Sequence, residues 1–331
     1  MGARSTTRGP GLCLRRPRRA PVLLLHADDR AGAGRCLPAR VTVSVIIVNW
    51  NAGPALDACL ASLATGGVAA LEVVLVDNAS SDGSAGAACA RHPQVRLVET
   101  GANLGFAAGA NRGAEAARGD VLVFLNPDAR VVPGALATLV EALARTPGAG
   151  IAGGGLSGEG GGWEPAAARF APLAHLLLDT TLGRLGARLR RAPHRVDWVY
   201  GTFMAVRRDL FRQLGGFDPR YFLYGEDLDL CYRAARLGAC TIHVPAARAV
   251  HGPNLSAAQR FGHGREAEVV KGEMRFYAAR GGPGALRLFR AAAACKFGLK
   301  TALAAALGRR AAAVTYGRVV RACLTFAPDA S

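Results

Sequence analysis

Between Val43 and Arg145 the chain repeats one pattern: a short, mainly apolar run, then a polar turn, then a segment with helical spacing. The runs are Val43–Val48, Leu71–Val76, Val95–Val98 and Val121–Leu125. Val43–Val48 is too short for a helix and too apolar for a strand with one wet face, so it reads as a buried parallel strand, and the other three read as strands. Helices are expected over 54–63, with Pro54 at the first turn, and over 84–91, 106–118 and 134–145. Strand and helix in alternation with short links predict a doubly wound α/β domain with a mainly parallel sheet. In such a sheet the ligand lies beyond the carboxyl ends of the strands. Asn49, Asp77, Asn103 and Asp128 fall at or just past such ends.

The rest of the chain is less regular. Gly153–Gly162 is expected to form a flexible surface loop, and 165–195 a mobile, partly helical insertion. Val196–Arg207 reads as a strand. Leu228–Leu237 reads as a helix closed by Gly238, and Cys240–Val244 as a strand ending at Pro245.

Charge divides the chain into three. The net charge is +17. Residues 1–40 carry nine Arg against two Asp, and residues 264–331 carry twelve basic against four acidic residues. The middle, 41–263, is close to neutral. A nucleic-acid enzyme carries its basic stripe on the catalytic unit, so nucleic acid is not an expected partner. Residues 1–40 read as a disordered basic extension, 41–263 as the catalytic domain and 264–331 as a basic, amphipathic helical region. That last region fits an anionic membrane surface and also fits helices packed on the domain. No stretch reaches about 18 consecutive apolar residues, so no spanning helix is expected. The eight cysteines show no C-x-x-C pair. They suggest neither a zinc site nor a disulfide framework, and a reducing cytosol suits them.

Three acidic or imidazole groups stand out. Asp128 closes Val121-Leu-Val-Phe-Leu-Asn-Pro-Asp128, so its carboxylate is presented at a strand tip, where it suits a divalent ion; a plain strand-end turn is the other reading. In Gly225-Glu-Asp-Leu-Asp229 the helix start favours carboxylates. Residues 227 and 229 point about 200° apart on a helix, so both cannot serve one site. Asp229 can pair with Arg233 one turn on, which leaves Asp227, with Glu226 beside it, as proton acceptor; simple N-terminal helix capping is the alternative. His251 is either a metal ligand or a core or turn residue. Asp77 can hold a nucleotide base or ribose, or it can cap the loop before the next helix. Gly101–Gly109 is not a dinucleotide fingerprint, since it lacks G-x-G-x-x-G and follows the third strand.

Taken in order, six motifs resemble the family 2 glycosyltransferases, of the nucleotide-sugar-dependent GT-A fold, and within them the bacterial rhamnosyltransferase-like branch. They are Val45-Ile-Ile-Val-Asn-Trp-Asn51, Val76-Asp-Asn-Ala-Ser-Ser-Asp-Gly-Ser84, Asn103-Leu-Gly-Phe-Ala-Ala-Gly-Ala-Asn-Arg-Gly113, Leu125-Asn-Pro-Asp128, Gly215-Gly-Phe-Asp218 and Phe222–Cys231, with His251 after them. The resemblance spans Val43 to Ser256. It implies a donor pocket of Asn49, Asn51, Asp77, Asn78, Asn103 and Gly105, with Arg112 near the phosphates. It implies Asp128 as the metal-binding end of a D-x-D motif whose first acidic place is Asn126, His251 as second ligand to Mg²⁺ or Mn²⁺, and Asp227 as base, with Glu226 as its neighbour. The implied reaction is inverting transfer of a sugar, rhamnose by this likeness, from a dTDP- or UDP-sugar to a hydroxyl of a glycan or polyprenyl-linked acceptor. The implied place is the cytoplasm, on the inner face of the membrane.

Two other readings compete. A sugar-1-phosphate nucleotidyltransferase carries a basic, glycine-rich loop after its first strand, whereas Asn49-Trp-Asn-Ala-Gly-Pro54 has neither Arg nor Lys. A non-catalytic basic adaptor at a membrane surface has no need of Asp128, Asp227 and His251 together.

Overall fold

The computed structural model of the chain describes residues 41–170, 190–252 and 260–327. The expected extension over 1–40 and most of the expected insertion over 165–195 lie outside the described residues.

The first half folds as its pattern dictates. Strand β1 (Val43–Asn49), helix α1 (Pro54–Leu63), β2 (Leu71–Asp77), α2 (Ser84–Arg91), β3 (Arg96–Glu99), α3 (Gly105–Ala116) and β4 (Val121–Leu125) follow in order. β1 pairs in parallel with β2 and β4, and β2 with β3. Successive side chains of a strand face opposite sides. Val43, Val45 and Ile47 therefore join a core under α1 and α2, while Ile46 and Val48 join one under α3. Two covered faces explain why all but Ser44 of Val43–Val48 is apolar. Pro54 opens α1 without loss of a helical hydrogen bond.

After β4 the chain departs from simple alternation. It makes β5 (Ala129–Val131), α4 (Ala135–Arg145), β6 (Ala149–Gly158), the short β7 (Trp163–Glu164) and β8 (Ala167–Ala168), then β9 (His194–Val196), β10 (Trp198–Val199), β11 (Phe203–Arg207) and α5 (Arg208–Gln213). Helix α6 (Glu226–Arg236) and β12 (Cys240–His251) complete the sheet. The strand order is β3-β2-β1-β4-β11-β6-β12-β5, with β7 added to β6 and β9 to β12. β11 runs antiparallel to both β4 and β6, so the sheet is mixed, with its parallel block at the N-terminal half.

Three expectations are corrected. Gly153–Gly158 is no loop: it belongs to β6, in the middle of the sheet, and only residues 159–162 turn. β6 is glycine-rich because its neighbours occupy the space of its side chains. Val199 crowds the place of a Cβ at Gly153, Phe203 that at Gly154 and Leu210 that at Gly150. Glycine there reflects close packing, not mobility. The expected strand over 196–207 is broken into β9, β10 and β11, with a turn at 200–202. The expected stop at Pro245 does not occur; β12 absorbs it in a register shift between Val244 and Arg248 and runs on to His251.

Beyond the sheet come α7 (Arg265–Phe276), a π-helical turn (Tyr277–Gly281), α8 (Gly282–Ala306) and α9 (Arg310–Thr325). Met274, Phe276, Tyr277, Phe289 and Val319 continue the core that lies under α3. Tyr277 Oη also donates to the Phe170 carbonyl at 3.2 Å. The fully buried Asp229 takes Arg233 at 2.6 Å, as expected, and Arg280 at 2.7 Å. That carboxylate therefore ties the π-helical turn to α6.

Candidate functional site

Two adjoining cavities open at the carboxyl ends of β1 and β4. The first is lined by Trp50, Asn78, Asn103, Gly105, Asp128, Phe222 and Arg260, among others. The second, about 400 Å³, is lined by Glu164, Trp198, Tyr200, Glu226, Asp227, His251 and Arg265, among others. Phe106, Asn126, Leu223 and Tyr224 line both, so the cavities share a wall. A sheet edge with polar groups converging on a concavity of this size is a common small-molecule site.

The wall between them is set by one close approach. Gly105 has φ +80°, and the Phe222 carbonyl and ring leave no room for a Cβ there. Phe106 N–H donates to the Phe222 carbonyl at 2.8 Å. Asn103 Oδ1 accepts from Gly105 N–H at 3.0 Å, and Asn78 Nδ2 donates to the Gly105 carbonyl at 2.9 Å. The α3 entrance is thus held by two of the asparagines expected at the donor pocket.

Asp77 and Asn49 lie beneath this surface and line neither cavity. Asp77 Oδ1 accepts from Asn49 Nδ2 at 3.0 Å and from Ser80 Oγ at 2.6 Å, and Asp77 Oδ2 accepts from Ser80 N–H at 3.2 Å. Both residues are buried and organise the loop from β2 to α2. Asn51, at φ 52°, accepts from Ser81 N–H at 2.7 Å and belongs to the same loop network. Arg112 is not brought to either cavity. It sits on an exposed side of α3, 3.4 Å from Glu115. It points outward because α3 turns its small residues, Ala107, Ala110 and Gly113, to the sheet.

Asp227 sits in the first turn of α6, whose N-cap is Gly225 at φ 95°. Its Oδ2 accepts from Gly201 N–H at 2.9 Å, and its Oδ1 from Leu228 N–H at 2.8 Å. Burial pushes its pKa up to about 6, against the lowering by those backbone hydrogen bonds. Glu226 is more deeply buried, with Oε2 lacking a hydrogen-bond partner among the described residues. Burial first, and the neighbouring Asp227 charge second, hold Glu226 well above the usual carboxylate range. Both carboxyls are thus held above their ordinary range, Glu226 by burial and by the charge of its neighbour, a pattern found at acid–base sites.

Asp128 and His251 meet at the shared wall. His251 Nε2 lies 3.6 Å from Asp128 Oδ1, and both side chains are less than a tenth exposed. His251 Nδ1 is 3.1 Å from Glu164 Oε2. His251 Nε2 is buried with no hydrogen-bond partner among the described residues. A buried carboxylate facing an unsatisfied imidazole nitrogen fits a divalent cation. No three His, Cys, Asp or Glu side chains among the described residues form a complete cage. An ion at Asp128 and His251 would take its other ligands from phosphate oxygens and water, as Mg²⁺ commonly does.

The structure thus brings Asn78, Asn103, Gly105, Asp128, Glu226, Asp227 and His251 to two joined cavities. Sequence reasoning missed Trp50, Glu164, Trp198, Tyr200, Phe222, Arg260 and Arg265 as lining. Trp50 and Phe222 stand inside quoted motifs and were within reach. Glu164 was masked by the loop reading of the glycine-rich stretch before it.

Comparison with known proteins identifies the family and the fold. The family model "Glycosyl transferase family 2" matches residues 44–215, just over half of the chain. Over 229 residues the chain is 34% identical to an N-acetylglucosaminyl-diphospho-decaprenol L-rhamnosyltransferase of Mycobacterium tuberculosis, covering 62% of this chain and 75% of the relative. A 56-residue stretch is 48% identical to rhamnosyltransferase WbbL of Escherichia coli, or 17% of this chain and 21% of the relative. Among solved structures, a mannosyltransferase from Pyrobaculum calidifontis in complex with GDP-Man and Mn²⁺ superposes with a TM-score of 0.56 at 21% identity, over 93% of this chain and 90% of that one. GalNAc-T7 with UDP, GalNAc and Mn²⁺ gives 0.52 at 18% identity, over 72% and 48%.

Proposed function

The chain belongs to glycosyl transferase family 2, and from that premise we propose that it is an inverting, divalent-metal-assisted transferase of rhamnose to a polyprenyl-diphosphate-linked glycan. The observation that carries this reading is that Asp227 and His251 line one cavity, while Asp128, 3.6 Å from His251, lines the cavity that shares a wall with it. A base on one side and a phosphate-holding site on the other is what a single displacement at an anomeric carbon requires. The named substrate of the 34% identical mycobacterial relative supports both sugar and acceptor. Family membership disfavours the nucleotidyltransferase reading, and the intact Asp128, Asp227 and His251 group disfavours an adaptor.

The donor is a dTDP- or UDP-sugar in the cavity of Trp50, Asn78, Asn103 and Asp128. The acceptor enters the cavity of Trp198 and Tyr200. Ionised Asp227 takes the proton of the acceptor hydroxyl as its oxygen bonds the anomeric carbon and the bond to the diphosphate oxygen breaks. The proton stays on Asp227, the electron pair leaves with the nucleoside diphosphate, and the anomeric centre inverts. Gly201 and Leu228 N–H groups hold the carboxylate in place. Mg²⁺ or Mn²⁺ bound by Asp128 and His251 would supply Lewis-acid neutralisation of the departing diphosphate.

The domain reading follows: an N-terminal basic extension over 1–40, a transferase unit over 41–263, and a membrane-facing region over 264–331. No described helix is long and apolar enough to cross a membrane. Leu299, Leu303 and Leu307 are 69%, 62% and 58% exposed and recur every fourth residue along α8 and its C-terminal cap. Lys296, Lys300, Arg309 and Arg310 are interspersed or follow. An apolar stripe among cations fits the surface of an anionic bilayer, on the cytoplasmic side.

A screen of nucleotide sugars tests the reading by release of nucleoside diphosphate in the presence of a polyprenyl-diphosphate-linked acceptor. The expected result is acceptor-dependent turnover with dTDP-rhamnose. Turnover confined to another sugar would overturn the rhamnose assignment, and absence of acceptor-dependent release with every donor would overturn the enzyme.

A further inference from the structure

We propose that Glu164 is the positioning residue of His251: it accepts the Nδ1–H hydrogen bond and so leaves the Nε2 lone pair aimed at Asp128. The proposal rests on the metal role given to Asp128 and His251 above, and concerns how the second of them is prepared.

The Glu164 contact favours one tautomer, because hydrogen on Nδ1 turns that contact into a hydrogen bond. An ionised carboxylate only accepts, so the 3.1 Å bond to Glu164 Oε2 takes its hydrogen from Nδ1. A neutral imidazole has one N–H, so Nε2 then bears a lone pair. That nitrogen is buried, has no partner among the described residues and lies 3.6 Å from Asp128 Oδ1. Two acceptors facing one another without a proton between them are costly; a cation between them removes the cost. The reverse tautomer would place N–H toward Asp128 and abolish ligation.

The sheet shows how Glu164 reaches the ring. β7 pairs with β6 at Leu156↔Glu164, and β12 pairs with β6 at His251↔Gly158. β6 therefore lies between Glu164 and His251. The carboxylate passes beside Gly158, where a Cβ would stand 3.1 Å from Glu164 Oε1, tighter than ordinary contact. The missing side chain at Gly158 leaves the path open. Histidine ligands commonly donate their second N–H to a carboxylate, and removing that partner costs about 10–100-fold in metal affinity.

The test titrates Mn²⁺ into the full chain, alone and with thymidine diphosphate, for Glu164→Ala, Glu164→Gln and His251→Ala, with thermal unfolding as the check on folding. Nitrogen NMR of the metal-free protein reads the His251 tautomer. The expected result is Mn²⁺ binding weakened about 10–100-fold by Glu164→Ala, partial recovery in Glu164→Gln, which keeps an acceptor oxygen at the same reach, and hydrogen on Nδ1 in the unaltered chain. If Glu164→Ala binds Mn²⁺ within twofold of the unaltered chain while His251→Ala loses it, the positioning role falls and the metal site stands. Hydrogen on Nε2 in the unaltered chain likewise overturns the role. If His251→Ala also binds Mn²⁺ normally, the metal reading itself falls and takes this proposal with it.

Discussion

Asp128 and His251 are neighbours because β5 is laid antiparallel against the last turn of the ladder on β12. Ala129 is the cross-strand partner of His251, and Gly252 N–H donates to the Asp128 carbonyl at 2.8 Å. A Cβ on Gly252 would stand 2.9 Å from that carbonyl oxygen, so glycine is what permits the contact. Two residues 123 positions apart are thereby joined by backbone pairing, and their side chains meet as a consequence.

Asp227→Asn is expected to lower kcat by about 10²–10⁴-fold, the usual contribution of a positioned base, and to leave nucleotide binding unchanged. Steady-state release of nucleoside diphosphate and calorimetry with the free nucleotide measure the two. Near-normal turnover would remove Asp227 from the base role.

The Asp227 pKa of about 6 sets a pH profile. The base works only when ionised, so kcat/KM should fall below about pH 6 and approach a tenfold loss per unit. Stability runs the other way. The folded state keeps the Asp227 proton over the window from 3.8 to about 6, where the unfolded chain has lost it. Proton uptake then favours the folded state, and stability falls as pH rises through that window. Asp227→Asn removes this loss, so its Tm relative to the unaltered chain should be higher at pH 8 than at pH 4. An unchanged difference at the two pH values contradicts the assigned shift.

Asp128→Asn should abolish the enhancement of nucleotide binding by Mn²⁺ while binding without Mn²⁺ stays the same. The matched calorimetric titrations separate loss of the cation site from loss of the nucleotide pocket. Equal enhancement in the variant would place the ion elsewhere.

Asp229→Asn should destabilise the fold by about 3 kcal/mol, since it removes the buried charge that pairs with both Arg233 and Arg280. Denaturant unfolding reads the loss. A variant as stable as the unaltered chain would show that α6 and the π-helical turn are held by apolar packing alone.

Replacing Leu299, Leu303 and Leu307 by Ser should weaken sedimentation with vesicles containing anionic lipid, with turnover on a soluble acceptor retained. The unaltered chain should bind anionic vesicles more tightly than neutral ones, and less so as salt rises. Equal binding of the triple variant would assign the membrane contact to another surface.

The strand–helix alternation over 43–145 was legible in the sequence because two-sided burial forces short apolar runs, and turns need polar or glycine residues. β1, α1, β2, α2 and β4 fall where that pattern puts them. The same logic identified Asp128 at a strand end, Asp227 at a helix start and the Asp229–Arg233 pair, all of which are local consequences of one element. It misread β6, because a glycine-rich run carries no side-chain periodicity of its own. Only the neighbours Val199, Phe203 and Leu210 explain why those positions must be empty. It could not see Glu164 beside His251, nor the exposed place of Arg112, since both depend on which strands lie edge to edge and which side of α3 meets the sheet. Sequence determined the elements and the chemistry they carry, because burial and capping act over a few residues. The tertiary structure alone decided which of those groups share a cavity, because pairing of β5, β6, β7 and β12 joins segments by register and not by any signal within them.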